Sequence, residues 1–136
     1  MKQGGLLNRH LSALVASLGH MDEIVIADAG LPVPAGVDVI DLAVSRGIPS
    51  FWDVVQALRT ELIIESAIYA SETPGELADK MTSVIGAWGT ETGRDVSLSS
   101  TPHAVLKERT GQAKAVIRTG EFAPYCNLIL VSGVAF

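Results

Sequence analysis

The feature that most constrains this chain is the stretch Leu18–Pro34, which combines a short apolar run with a rigid loop. Its middle, Ile24–Ala27, is unbroken, apolar and rich in β-branched residues, which is typical of a strand buried on both faces. Two titratable side chains flank this run: His20 precedes it and Asp28 follows it directly. The loop Ala-Gly-Leu-Pro-Val-Pro comes next, and it can neither continue a strand nor begin a long helix. Because open α/β sheets bind ligands beyond the carboxyl ends of their strands, we expect Asp28 at such a site.

Composition restricts the chain to few protein classes. Of its 136 residues, 48% are hydrophobic and 18% are charged, which favours one domain with a substantial core and argues against disorder. No apolar run is long enough for a membrane helix, so we expect no membrane partner. The formal net charge is −5 and the basic residues are scattered, so we also expect no nucleic-acid partner. The first residues lack the features of a signal peptide and Cys126 is the single cysteine, so we expect a cytoplasmic protein.

Helical and strand-type patterns alternate along the chain, which indicates an α/β layer structure. Asn8 and Gly19 are predicted to begin and end the first helix, and Ser50 to cap the second. Thr73 and Thr101 each precede a proline and are predicted to cap two further helices, the first through a capping box. The predicted strands are 23–27, 37–42, 62–69, 95–99, 115–117 and 128–131. The sequence therefore predicts a single α/β domain over residues 1–136, a layered α/β/α structure with a mostly parallel sheet.

Several familiar site motifs are absent from the sequence. There is no G-x-G-x-x-G and no G-x-x-x-x-G-K-[ST], so a nucleotide phosphate site has no support. A G-x-S-x-G motif for a serine nucleophile is also missing. The three histidines lack the i, i+4 and H-x-H spacings that are typical of zinc sites, so we expect no metal.

The titratable residues each allow a structural and a functional interpretation. Asp28 could accept backbone amides in a turn, or its carboxylate could contact a ligand. His20 could interact with the C-terminal dipole of the first helix, or it could transfer protons. His103 lies in the first turn of a predicted helix, where the helix dipole disfavours an imidazolium and is consistent with a neutral ring.

The segment Tyr125–Asn127 is a further candidate for ligand binding. Tyr125 and Asn127 are spaced i, i+2, so both side chains are predicted to point to one side of an extended segment. A hydroxyl and an amide that project together suit a polyhydroxylated ligand, but a core tyrosine beside a loop asparagine would give the same pattern. Cys126 has no nearby partner that would lower its pKa and is interpreted as a small buried hydrophobic residue.

Together, these stretches resemble the D-ribose pyranase family. Leu18–Pro34 is similar to its first signature, Gly47–Phe51 to a second, and Ala115–Leu130 to its C-terminal signature. The last four residues, Gly133–Phe136, also match those of family members. The resemblance runs end to end on long motifs, and only the segment from about Glu72 to Ser100 carries little of it.

The resemblance implies an isomerase that interconverts the pyranose and furanose forms of D-ribose without a metal or an organic cofactor. It also implies a ring-forming subunit, typically within a homodecamer of two pentameric rings. At the matching positions, His20 is implied as the catalytic proton donor. Contacts with the monosaccharide substrate are implied for Asp28, His103, Tyr125, Cys126 and Asn127, with the backbone rather than the thiol of Cys126 involved.

Two other functions compete with a pyranase. A fucose-type mutarotase would share the opening His20 and Asp28, but such members tend to differ after the aspartate and near the C-terminus. The motifs Ala-Gly-Leu-Pro-Val-Pro and Tyr-Cys-Asn therefore favour the pyranase branch. A non-catalytic sugar-binding partner of a ribose transporter is the third possibility, and the intact set of His20, Asp28 and His103 argues against it.

The spacing of His20 and Asp28 constrains any site that contains both. They lie eight positions apart, and a fully extended segment at about 3.3 Å per residue would place them up to ~26 Å from each other. Either the chain around Met21 and Asp22 is compact, or the two residues of one site come from different subunits. We favour the second possibility, which would make ring assembly necessary for activity.

Overall fold

A six-stranded mixed sheet forms the centre of the computed structural model, which describes residues 1–136. The predicted strands are all present, although two of them begin and end later than expected. In chain order the elements are α1 (Arg9–Ser17), β1 (Glu23–Ala27), β2 (Asp38–Asp41), α2 (Phe51–Arg59), β3 (Ile64–Ala70), α3 (Gly75–Glu91), β4 (Ser97–Thr101), α4 (His103–Thr110), β5 (Ala115–Arg118) and β6 (Leu128–Ser132).

The strand order is β2-β5-β1-β6-β3-β4, and only β6 runs antiparallel to its neighbours. A parallel connection needs a long crossover, usually a helix, whereas β5 and β6 are joined by a loop alone. The loop crosses over β1 and lets β6 return in the opposite direction. The prediction of a mostly parallel sheet is confirmed.

Helices cover both faces of the sheet, which confirms the predicted α/β/α layers. Because successive strand residues point to opposite faces, Ile24 and Ile26 pack into the larger core with α1, α2 and α3. Val25 and Ala27 face the other way and join the smaller core, to which α4 contributes Leu106. The burial of Ile24–Ala27 on both faces follows from the position of β1 in the middle of the sheet.

The predicted starts of α1 and α2 are confirmed, and α1 ends where predicted, with Gly19 at C′, although by a different backbone conformation. The side chain of Asn8 accepts two backbone N–H groups of the first turn at 3.0 Å each. Ser50 and Asp53 form a reciprocal capping box. The last turn of α1 stops because Leu18 is extended, with φ −71° and ψ 127°. Gly19 does not adopt the left-handed conformation of a C′ glycine.

The predicted threonine caps of α3 and α4 are wrong. Pro74 and Pro102 occupy the N-cap positions, and neither helix start is capped by the side chain of its own N-cap residue. The hydroxyl of Thr73 instead donates to the backbone carbonyl of Tyr125, at 3.1 Å. The sequence pattern identified where both helices begin, but the polar group of Thr73 serves a contact 52 residues away.

Candidate active site

A cleft of about 540 Å³ opens at the carboxyl ends of β1 and β5. Asp28 enters it directly after β1, and Arg118 enters it as the last residue of β5. The start of α4 contributes His103, and the β5–β6 loop contributes Tyr125. Three residues that were singled out from the sequence are therefore brought to one cleft.

The two loops that line this cleft are joined by hydrogen bonds. The backbone N–H and the hydroxyl of Thr119 both donate to the carbonyl of Ala27, at 3.0 and 2.8 Å. Two residues further along both loops, the N–H of Ala29 donates to the carbonyl of Glu121, at 2.8 Å. These bonds extend the pairing of β1 and β5 beyond the strands, so the loops hold a fixed spacing.

The segment Gly47–Phe51 supports the cleft from behind. The N–H of Gly47 donates to the carbonyl of Gly120 at 2.6 Å, and the N–H of Gly120 donates to the carbonyl of Pro49 at 2.9 Å. A Cβ at Gly120 would lie 2.6–2.7 Å from backbone atoms of Ser45 and Ile48, so only glycine allows this approach. The second sequence motif therefore holds the C-terminal motif in place.

The side chain of Asn127, a residue 99 positions away in the chain, bonds both the backbone and the carboxylate of Asp28. The amide oxygen of Asn127 accepts the backbone N–H of Asp28 at 2.9 Å, and its amide nitrogen donates to Oδ2 at 3.0 Å. The other carboxylate oxygen of Asp28 accepts the N–H of Gly30 at 3.0 Å. The structural interpretation of Asp28 is confirmed, because its carboxylate accepts a backbone N–H in the turn, and contact with a ligand stays a prediction for a carboxylate that lines the cleft.

The prediction that Tyr125 and Asn127 share one side of an extended segment is wrong. Tyr125 adopts a left-handed backbone with φ 59°, so the chain turns between the two residues. Asn127 is fully buried against Asp28, whereas Tyr125 remains 38% exposed. The ring of Tyr125 meets the ring of His103 edge to face, with centroids 5.1 Å apart. A ligand in the cleft would thus meet Tyr125 directly and Asn127 through Asp28.

His103 is fixed at the start of α4 by Glu72. Both carboxylate oxygens of Glu72 accept the backbone N–H of His103, at 3.0 and 3.1 Å. This hydrogen bond lowers the pKa of Glu72 below its usual value, and a bond from the hydroxyl of Ser71 makes the second largest contribution. The Nδ1 atom of His103 is buried and has no hydrogen-bond partner within the protein.

Lys107 is the cationic group of the cleft that remains unpaired. It lies four residues after His103 on α4 and therefore on the same helix face. The other cation, Arg118, binds Asp41 at 3.1 Å and the carbonyl of Ala29 at 3.1 Å. Lys107 has no ion pair or hydrogen bond, so its ammonium is available to a ligand oxygen.

Cys126 is confirmed as a buried hydrophobic residue. Its side chain is buried, and this loss of solvent raises the pKa of the thiol, with smaller contributions from the charges of Glu121 and Asp28. The thiolate is therefore absent near neutral pH, and the sulfur is a poor candidate for chemistry.

His20 lies at the opposite end of the sheet from the cleft. The turn Gly19–Asp22 is compact, with Met21 at φ 69° and the N–H of Gly19 bonded to Asp22 at 2.8 Å. However, His20 precedes β1 and Asp28 follows it, so the five residues of β1 hold them roughly 16 Å apart. A smaller groove of about 290 Å³ surrounds His20, and the segment Ser132–Phe136 lines part of it. One chain therefore does not bring its own His20 to its own cleft.

No group of three or more His, Cys, Asp or Glu side chains is arranged to hold a metal ion. None of the four helices combines the length and the apolar character that crossing a membrane requires.

The chain belongs to the RbsD / FucU transport protein family, because the model of that family matches residues 1–135. It is 47% identical to the D-ribose pyranase of Vibrio vulnificus over 139 aligned residues, which cover 100% of both chains. These two matches establish the family along the whole length of the chain.

Solved structures agree with this assignment. The structure of Bacillus subtilis RbsD complexed with D-ribose superposes with a TM-score of 0.87 at 44% identity, covering 100% of both chains. The fucose mutarotase of Streptococcus pneumoniae in complex with L-fucose has a TM-score of 0.78 at 23% identity, covering 98% of this chain and 99% of that one. At that identity the mutarotase shows a common fold alone.

Sequence reasoning missed three residues that the structure places beside the predicted ones. Lys107 could have been found from its i, i+4 spacing to His103, which puts both on one helix face. Glu72 caps α4 from outside that helix, and Glu65 contacts His20 across 45 residues. Neither of these contacts has a local sequence pattern.

Proposed function

We propose that the protein interconverts the pyranose and furanose forms of D-ribose, without a cofactor. The observation that carries this proposal is full-length similarity, at 44% identity, to an RbsD structure complexed with D-ribose. The relative named D-ribose pyranase supports the same activity. The cleft is consistent with it, because carboxylate, imidazole, phenol and ammonium groups converge there on a space suited to a small polar ligand.

In the proposed site, the cleft of one subunit is completed by His20 of a neighbouring subunit. The distance between His20 and Asp28 in one chain supports this, because the strand between them is rigid and fully paired on both sides. Exposed apolar side chains near both halves are consistent with burial between copies, since Met21 is 59% exposed beside His20 and Phe122 is 57% exposed at the cleft. Contacts of this head-to-tail kind close into rings, and we propose a decamer of two pentameric rings.

The reaction exchanges one ring oxygen of the sugar for another. A base removes the proton of the anomeric hydroxyl while an acid protonates the ring oxygen, so the C1–O5 bond breaks and an open-chain aldehyde forms. The C4 hydroxyl then attacks the aldehyde carbon, and the proton transfers reverse. General acid–base groups contribute roughly 10²- to 10⁴-fold to such steps.

The roles of the residues in this scheme follow from their positions. His20 is the proton donor to the ring oxygen, because an imidazole exchanges protons near neutral pH. Asp28 and His103 contact the sugar hydroxyls, and the pairing of Asp28 with Asn127 fixes its carboxylate before the sugar arrives. Tyr125 and Lys107 bind further oxygens and keep the open chain in position to close again.

The proposed location is the cytoplasm. The single cysteine is unpaired and buried, as is common in a reducing compartment.

Saturation-transfer NMR on D-ribose tests the proposed activity. The anomeric signal of β-ribopyranose is irradiated, and the signal of β-ribofuranose is followed with and without a catalytic amount of protein. We expect protein-dependent transfer to the furanose signal. Transfer that is confined to the α and β anomers of fucose would instead identify a mutarotase, and no acceleration with either sugar would favour a non-catalytic binding protein.

A further inference from the structure

The ring of His20 is held by one side chain, that of Glu65. Nε2 of His20 lies 2.7 Å from Oε1 of Glu65, and the imidazole forms no other hydrogen bond. The side chain of His20 is 54% exposed, and that of Glu65 is 33% exposed. The free ring nitrogen, Nδ1, is therefore the one that can reach a partner outside this chain.

The backbone of β3 is distorted at Glu65. Along the pairing with β6, Ile64 faces Ser132 and Ser66 faces Val131, so Glu65 is an extra residue in the ladder. Such a β-bulge turns one side chain away from its regular direction and often lies beside a functional site. Here the re-aimed side chain is the one that contacts His20.

The segment of the same chain that directly follows β6 leaves room for this distortion. The N–H of Gly133 donates to the carbonyl of Ile63 at 2.9 Å, which brings the end of β6 against the bulge. A Cβ at Gly133 would lie 2.8 Å from Cγ of Glu65, so a larger residue would displace that side chain. The bulge and the glycine together hold the carboxylate in place beside His20.

We propose that Glu65 is a positioning residue that fixes the orientation and the tautomer of His20. A carboxylate only accepts hydrogen bonds, so the N–H that donates to Glu65 is at Nε2. Nδ1 is then the nitrogen that exchanges protons with the sugar. The inference rests on the proposed function, because it takes His20 as the proton donor.

The proton balance of the reaction gives the carboxylate a second task. When Nδ1 holds a proton for the ring oxygen, the ring is an imidazolium, and the negative charge of Glu65 stabilises it. When Nδ1 has delivered that proton, the neutral ring keeps its remaining proton on Nε2, where it donates to Glu65, so both the orientation and the tautomer of the ring are retained. The proton is recovered at Nδ1 when the new ring closes.

The substitution Glu65→Gln separates this role from a purely structural one. Glutamine has the same size and can still bond the imidazole, but its amide can also donate and so permits either tautomer. We expect kcat for the pyranose–furanose exchange to fall about 10- to 100-fold, by analogy with carboxylates that orient metal-bound imidazoles, while KM stays unchanged. Glu65→Asp keeps an acceptor-only carboxylate and should recover part of this loss.

A spectroscopic measurement tests the tautomer directly. Protein labelled with ¹⁵N in its histidine rings is examined at a pH where His20 is neutral, and the His20→Ala variant assigns its signals. We expect the Nε2–H tautomer in the wild type and in Glu65→Asp, and a mixture in Glu65→Gln. An Nδ1–H tautomer in the wild type would overturn the inference, even if no Glu65 variant folded.

A matched control removes a surface carboxylate elsewhere. Glu91 pairs with Arg59, with an Oε2–Nε distance of 2.7 Å, and Glu91→Gln should leave kcat and the histidine spectrum unchanged. An unchanged kcat in Glu65→Gln, with an active wild type, would refute the role of Glu65 and leave the proposed function standing. A wild type that does not accelerate the exchange would instead refute the proposed function.

Discussion

The cleft and the His20 turn contain the two halves of the proposed site, and they are built differently. In the cleft, Asp28 makes three hydrogen bonds and its partner Asn127 is fully buried. At the other end of β1, His20 is half exposed and is held by Glu65 alone. The proposed binding half is thus preorganised within one chain, whereas the proposed proton-transfer half faces outward. With the proposed roles, substrate binding and catalysis depend on different contacts, which substitutions can separate.

The largest effect is expected for His20→Ala. The variant removes the proposed proton donor, and we expect kcat for ribose exchange to fall about 10²- to 10⁴-fold. The cleft lies at the other end of β1, so the affinity for ribose should change little. Saturation-transfer NMR measures the rate, and calorimetric titration measures ribose binding.

For His20→Ala, thermal unfolding and native mass spectrometry serve as controls for folding and assembly. Exchange that persists at the wild-type rate would show that His20 is not the donor.

Asp28→Asn is expected to weaken ribose binding in the cleft and to leave proton transfer by His20 unchanged. The amide cannot accept from both Asn127 and Gly30 as the carboxylate does, and it loses the charge that strengthens these bonds. We expect ribose affinity to fall about 10- to 100-fold, as for a lost hydrogen bond to a charged group. Asp38→Asn, on the exposed edge strand, is the control and should bind ribose normally. Unchanged binding in Asp28→Asn would contradict the assignment of the cleft.

A smaller loss of binding is expected for Lys107→Met. The substitution removes the unpaired ammonium of the cleft but keeps a long side chain on α4. We expect KM to rise about tenfold at most, with kcat within a few-fold of the wild type, because one charged hydrogen bond is lost. Glu108→Gln, the next residue on the helix, does not line the cleft and serves as the control. A variant with unchanged KM would remove Lys107 from the site.

The smallest effect on the reaction is expected for Cys126. Burial raises the pKa of its thiol, so the reactive thiolate does not form in the folded protein at pH 8. We therefore expect no reaction with a thiol reagent until the chain is unfolded, and near-normal exchange in Cys126→Ala. Rapid labelling of the native protein, followed with a chromogenic disulfide, would contradict this account of the segment.

The sequence predicted the features that depend on local pattern. Ile24–Ala27 was identified as a doubly buried strand because an apolar β-branched run has few other solutions. Asp28 at its end and the caps at Asn8 and Ser50 follow from the same local rules. The layered fold could be predicted because the order of helices and strands restricts the topology.

The sequence could not predict contacts between distant segments. The partner of Asp28 lies 99 residues away, and no spacing rule connects it to Asn127. Tyr125 was expected in an extended segment because a left-handed backbone is uncommon outside glycine. The bulge at Glu65 inserts one residue into a ladder without any pattern in the strand itself.

The most direct test of a site shared between subunits is complementation of two impaired variants, measured at a ribose concentration well below the KM of the wild type, where both the donor and the binding defect slow the exchange. His20→Ala and Asp28→Asn are unfolded and refolded together, and native mass spectrometry verifies that the oligomers contain both chains. A site that takes Asp28 from one variant and His20 from the other is intact, so random mixing should restore about one quarter of the wild-type exchange rate. Mixed oligomers that show no gain over the separate variants would contradict the shared site, because every active centre would then be built from one chain and would carry one of the two defects.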